Sequence, residues 1–192
     1  MSTNILNLRN LITMPIDDSI VFALDTNVLL WTFYSRISTT QQYQKHTYPD
    51  FVTNAISNGN KIVVTAFNLN EMFHIIEKNE YDIYERSNPH AYHFSIKSYR
   101  KIVTERAKVK KEIQLIYKQL ISIPNIDIIG SLVDISNLNT FTDNYNIHNC
   151  DFFDFCLIDY CNKNKISIIT DDSDFCNPYN NSDVYTANPR VF

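Results

Sequence analysis

The run Ile20-Val21-Phe22-Ala23-Leu24 is apolar at every position and stops at Asp25. A strand with one wet face alternates apolar and polar residues. A strand without that alternation is covered on both faces, which is the pattern of a parallel sheet packed between helices. A second such run lies far downstream, Ile166-Ser167-Ile168-Ile169-Thr170, and it too ends in acids, at Asp171, Asp172 and Asp174. Neighbouring parallel strands deliver their C-terminal ends to one edge of a sheet, so two strands that end in acids imply one site. An acidic site there asks for a divalent cation.

The remaining pattern alternates strands with helices. Apolar spacing predicts helices over 27–36, 68–79, 91–121 and 151–163, and another from Pro49 that stops at Asn58-Gly59-Asn60. Short strands are expected at Lys61–Thr65, Ile126–Ile129 and 183–187. Residues 37–47 read as a polar connection, 132–147 are polar without a clear period, and 1–18 are mixed and close on a turn at Pro15–Asp18. That order predicts an α/β fold, a three-layer α/β/α sandwich with a mostly parallel central sheet. At 192 residues, a single domain over 1–192 with a core of about 20–189 is expected.

Composition removes several function classes. Only two glycines occur, Gly59 and Gly130, so neither a G-x-G-x-x-G dinucleotide turn nor a Walker A loop is present. Asn58, Asn60, Asn79 and Asn180 are the expected substitutes at turns. The longest apolar runs fall short of a membrane span and no charged-then-apolar leader opens the chain, so a cytoplasmic protein away from membranes is expected. Cys150, Cys156, Cys161 and Cys176 form no C-x-x-C pair, which favours reduced, buried thiols over a zinc site. A net charge of −4 disfavours broad nucleic-acid affinity but leaves room for a local basic groove.

Four segments place acids at element ends: Asp25 after the first strand, Glu71 early in the helix after the second, Asp151 and Asp154 at the start of the helix over 151–163, and the Asp171, Asp172, Asp174 cluster. One parallel sheet brings all four segments to a common edge. Taken singly, most have plainer readings. Asp151 suits an N-cap, Asp154 favours a helix dipole, and the last cluster suits a turn. Asp25 is different, because an acid between Leu24 and Val28-Leu29-Leu30-Trp31 is costly unless paired or bound to metal. Grouped carboxylates repel and need a cation, and hard oxygen ligands suit Mg²⁺ or Mn²⁺. One such ion polarises a phosphoryl oxygen and activates water, and two at about 3.5–4 Å steady both oxygens of an in-line displacement. Phosphodiester hydrolysis fits this chemistry.

These motifs resemble those of the PIN-domain nucleases, including VapC-type toxins of toxin–antitoxin pairs. Leu24-Asp25-Thr26-Asn27-Val28-Leu29-Leu30 is similar to the first family motif, and Val63-Val64-Thr65 through Asn70-Glu71-Met72 to the second. An aspartate opening a helix before the last core strand is the third. Ile168-Ile169-Thr170-Asp171-Asp172-Ser173-Asp174-Phe175 is similar to the fourth. The resemblance runs from about Ile20 to Pro189. It implies an endoribonuclease with a four-acid Mg²⁺ or Mn²⁺ site made of Asp25, Glu71, Asp154 and Asp172. The family interval favours Asp154 as third acid, with Asp151 and Asp174 as accessory ligands. Thr26 or Asn27 would orient Asp25 through a hydrogen bond, with Thr170 as a further supporting residue. An RNA substrate, an antitoxin protein and a homodimer are the partners implied. Two departures stand out: a helical insertion at about 80–122, and a bulky third-acid helix carrying Phe152, Phe153, Phe155, Leu157, Ile158 and Tyr160.

Lys97–Gln114 holds seven basic residues against Glu105 and Glu112, a local +5 that leaves −9 for the rest of the chain. Either this stretch lines a groove for a nucleic-acid backbone, through Lys97, Arg100, Lys101 and Lys108 with Tyr92, His93 and Tyr99 for stacking, or it is a solvated helix face. His90 with His93, or His46 with His148, has metal-pair spacing at best, and surface histidines explain them more simply. Two other functions fit less well. A haloacid dehalogenase-type phosphohydrolase needs an acid where Asn27 stands. A non-catalytic RNA- or protein-binding module has no use for a destabilising acid cluster.

Overall fold

The computed structural model of the chain describes residues 4–12, 14–37, 41–88, 95–132, 145 and 150–192. Six parallel strands form one sheet: β1 (Ile5–Asn7), β2 (Val21–Leu24), β3 (Lys61–Thr65), β4 (Ile126–Ile129), β5 (Ser167–Ile169) and β6 (Val184–Thr186), in the spatial order β1-β6-β5-β2-β3-β4. The helices are α1 (Leu8–Leu11), α2 (Thr26–Phe33), α3 (Gln42–Asn58), α4 (Ala66–Ser87), α5 (Ile96–Tyr99), α6 (Val103–Ser122) and α7 (Phe152–Asn164).

The unalternating strands bury both faces, as their sequences require. Phe22 and Leu24 of β2, Ile62 and Val64 of β3, Ile169 and Tyr185 enter one core with Val28, Leu29, Phe51, Met72 and Ile116 from α2, α3, α4 and α6. Ala23, Val63, Ile168 and Val184 enter a second core on the opposite face with Phe155, Leu157, Ile158 and Cys161 of α7. This is a three-layer α/β/α sandwich. All strand pairs are parallel, which sharpens the expectation of a mostly parallel sheet.

Several boundaries differ from the sequence reading, each for a tertiary reason. The sheet reaches back to β1, whose three residues pair with β6 inside the stretch read as mixed. Helix α3 begins at Gln42, within the expected connection, and runs through Pro49. The bond that Pro49 cannot donate is offset by burial of Thr47, Tyr48, Phe51, Val52 and Ala55. Helix α4 runs to Ser87 rather than 79, because Glu77 and Glu80 are buried with partners instead of facing water. Glu77 accepts bidentate hydrogen bonds from Arg100 and another from Arg106, while Glu80 meets the Tyr34 hydroxyl and Arg36. Residues 91–94 of the helix expected over 91–121 lie outside the described residues, and the rest is α5 and α6, separated at Arg100–Ile102 where Arg100 turns toward Glu77.

Among the described residues, only Gly59 and Lys165 have positive φ, at the C-caps of α3 and α7. The asparagines expected in left-handed turns act through their side chains. Asn60 donates to Asp17 and Ile20 carbonyls and Asn180 to that of Phe175, whereas Asn79 lies inside α4. All four cysteines are free thiols, with Cys156 and Cys161 in the second core. No helix among the described residues is long and apolar enough to cross a membrane.

Candidate active site

Strand order reverses direction at β2, with β3 and β4 to one side and β5 and β6 to the other. The crevice at such a switch point lies outside the C-terminal ends of β2 and β5. The Asp25 amide donates to the Ile169 carbonyl at 3.1 Å, so Asp25 completes the pairing and sits at the rim. Helices α2, α4 and α7 start at this same edge, and their positive ends partly offset local negative charge.

Asp25 is 7% exposed. Its Oδ2 accepts from the Thr170 hydroxyl at 2.9 Å, and the Thr26 backbone N–H adds a second donor. Burial pushes its carboxyl up to about 7, with Asp172 and Glu71 raising it further against the pull of those two bonds. Thr26 does not orient Asp25 through its side chain, as the sequence suggested. Its hydroxyl donates to Glu71 Oε2 at 2.6 Å and accepts from Asn68 Nδ2 at 3.0 Å. Asn68 is in turn held by Thr65, the N-cap of α4. This chain of side chains ties the end of β3 to the start of α2 and fixes Glu71. Asn27 is exposed and faces a different depression.

The third and fourth segments supply the tightest group. Oxygens of Asp154, Asp172 and Asp174 lie within 4.8 Å of one another. Asp154 is pushed up to about 8, by burial first and then by Asp151, Asp25, Asp172 and Asp174. Asp174 is also raised, by burial and then by Asp172 and Asp151. Asp151 caps α7, accepting from the amides of Phe153 and Asp154 at 2.8 and 2.9 Å, so its carboxylate serves the helix start. Asp171 and Asp172 diverge. The carboxylate of Asp171 takes hydrogen bonds from Tyr43, Gln44 and Tyr48, while the Asp172 amide donates to Thr170 Oγ1 and its carboxylate accepts from the Asp174 amide. Thr170 thus links Asp25 and Asp172 through one hydroxyl.

A cleft of about 480 Å³ opens over Asp25, Glu71 and Asp154 with Phe67, Phe153 and His74 in its wall. His74 was not singled out from sequence, although it stands one helical turn after Glu71 on the same face. The donor set fits a hard divalent cation: carboxylates alone, two of which, Asp25 and Asp154, are pushed up by burial first and by their acidic neighbours second. The three-oxygen group does not include Asp25 or Glu71, which approach the others through electrostatic coupling and the cleft wall.

The basic stretch is more committed than its sequence implied. Arg100 and Arg106 both pair with Glu77, and Lys108 with Glu105 at 2.6 Å. Lys97 and Lys101 are exposed. Tyr99 is 1% exposed and packs against Tyr81 and Tyr84, so it is closed to base stacking. Tyr92, His90, His93 and His148 lie outside the described residues, and His46 is exposed on α3.

No family model matches the chain, and no curated protein does. A solved structure similar to it is VapBC2 from Rickettsia felis bound to a DNA fragment from their promoter, at TM-score 0.47 and 12% identity over 86% of this chain and 97% of that one.

Proposed function

We propose that this chain is a PIN-like metal-dependent endoribonuclease, a single domain over 1–192 with its helical insertion at about 80–122. Asp25, Glu71, Asp154 and Asp172 would hold Mg²⁺ or Mn²⁺, with Asp151 and Asp174 as accessory ligands. The observation that supports this reading is the group of Asp154, Asp172 and Asp174 oxygens beside a cleft that Asp25, Glu71 and Asp154 line together.

A bound divalent cation supplies Lewis acidity toward the phosphate and makes water a better nucleophile. The chain's own groups do the rest. Thr170 holds Asp25 and Asp172 in register. Thr26 and Asn68 hold Glu71. Phe67 and Phe153 give the cleft an apolar wall. In the reaction, water adds to phosphorus, the bond from phosphorus to the leaving sugar oxygen breaks, and that oxygen gains a proton. RNA as the substrate, an antitoxin partner and a homodimer rest on the motif resemblance, and a cytoplasmic setting on the short apolar runs of the sequence.

The test is cleavage of a mixed structured and single-stranded RNA pool with Mg²⁺ or Mn²⁺ by wild type, by Asp25→Asn and with EDTA. Cleavage lost in both controls supports the proposal. No cleavage and no thermal stabilisation by Mn²⁺ would leave a non-catalytic binding module.

A further inference from the structure

A second depression, of about 350 Å³, includes Asp172 but none of the residues that line the cleft over Asp25 and Glu71. Its wall includes Asn27, Trp31, Ser173 and Arg190. Arg190 follows β6 and is held by its backbone. Its amide donates to Asn188 Oδ1 at 2.9 Å, and Asn188 Nδ2 donates to the Asp171 carbonyl at 2.6 Å. The turn carrying Arg190 is therefore clamped to the residue just before Asp172.

The guanidinium itself is uncommitted. Arg190 is exposed, and among the described residues no ion pair includes it. Asp171, which lines the same depression, already accepts from Tyr43, Gln44 and Tyr48. Among the described residues lining the cleft or this depression, Arg190 alone carries a permanent positive charge. A polyanion that approaches clustered carboxylates is repelled, and a guanidinium offers two parallel donors to a phosphate. Trp31 lines the same depression, with its ring 5.2 Å from that of Tyr48 at 36°. An indole so supported is a platform for an unpaired base.

We propose that this depression is a nucleotide subsite for single-stranded RNA, in which Arg190 binds a phosphate flanking the one that is cut and Trp31 receives the base. The inference rests on the nuclease reading. The substrate strand then crosses the acid cluster, from the cleft on the Glu71 side to the depression on the Arg190 side.

The experiment measures binding of a short oligouridylate to the Asp25→Asn protein with Mg²⁺ over a salt series, alone and combined with Arg190→Ala or Arg190→Lys. Steady-state cleavage by the single Arg190 variants runs alongside. Arg190→Ala is expected to weaken binding about tenfold and flatten the slope of log affinity against log salt by about 0.7, the share of one single-strand phosphate contact. Arg190→Lys keeps the slope and regains only part of the affinity, because the fork is gone. In cleavage, KM rises while kcat holds. Unchanged affinity and slope in Arg190→Ala, with wild type still cutting RNA, overturns the subsite. Absence of both cutting by wild type and binding by Asp25→Asn overturns the nuclease reading and the subsite with it.

Discussion

The hydroxyl of Thr170 donates to Asp25 at 2.9 Å and accepts from the Asp172 amide at the same distance. One β-branched side chain at the end of β5 thus pulls down the proton affinity that burial gives Asp25 and holds the backbone of Asp172. Thr170→Val keeps the shape and removes the bond. Metal affinity is expected to fall about 10–100-fold, the usual cost of losing a partner that orients a ligand. Isothermal titration with Mn²⁺ checks this, and unchanged affinity would show that the bond is dispensable.

Burial of Asp25, with Asp172 and Glu71 adding to it, makes metal-free stability depend on pH with a definite sign. Burial pushes the Asp25 carboxyl in the folded chain up to about 7 from an ordinary 3.8. Between those values the folded state keeps a proton that the unfolded state has lost, so stability declines as pH climbs toward and through about 7. Without metal, Asp25→Asn should therefore melt above wild type at about pH 8, by an amount on the order of 2–4 kcal/mol. Saturating Mn²⁺ should reverse that order. Thermal melts across pH with and without Mn²⁺ test both halves.

Asp151 and Asp154 should separate cleanly. One oxygen of Asp151, Oδ1, accepts from two amides at the start of α7, and the carboxylate of Asp154 belongs to the three-oxygen group. Asp151→Ala is expected to cost about 0.5–2 kcal/mol of stability while leaving most metal binding. Asp154→Asn should abolish metal-dependent cleavage and leave the fold intact. The reverse pattern in melts and nuclease assays would make Asp151 the third acid.

Of the four cations expected to meet a nucleic-acid backbone, Lys97 and Lys101 are exposed and enter no ion pair among the described residues, whereas Arg100 and Lys108 are paired. If an RNA backbone lies there, Lys97→Glu with Lys101→Glu should weaken binding and flatten its salt slope by at least about 1.4. Fluorescence anisotropy at several salt concentrations reads this directly. An unchanged slope marks the stretch as a solvated face.

Strands β2 and β5 were legible because apolar residues on both faces leave no other placement, and their terminal acids came with them. What escaped the sequence depends on distant partners. Strand β1 is three residues long and exists through pairing with β6. The second half of α4 holds Glu77 and Glu80, polar in sequence but satisfied by Arg100, Arg106, Arg36 and Tyr34. The opposed roles of Asp171 and Asp172 follow from three donors that α3 brings against one of them. Arg190 had no signal at all, since its place comes from a clamp 17 residues away in sequence between Asn188 and Asp171.

The chain has a single tryptophan, and it is Trp31, half-buried beside Asp172 and Arg190. The emission of the whole molecule under selective excitation therefore comes from a side chain that borders this depression and two others. An unlabelled protein can serve as its own optical sensor there, reporting the arrival of a nucleotide by quenching before any bond is cut.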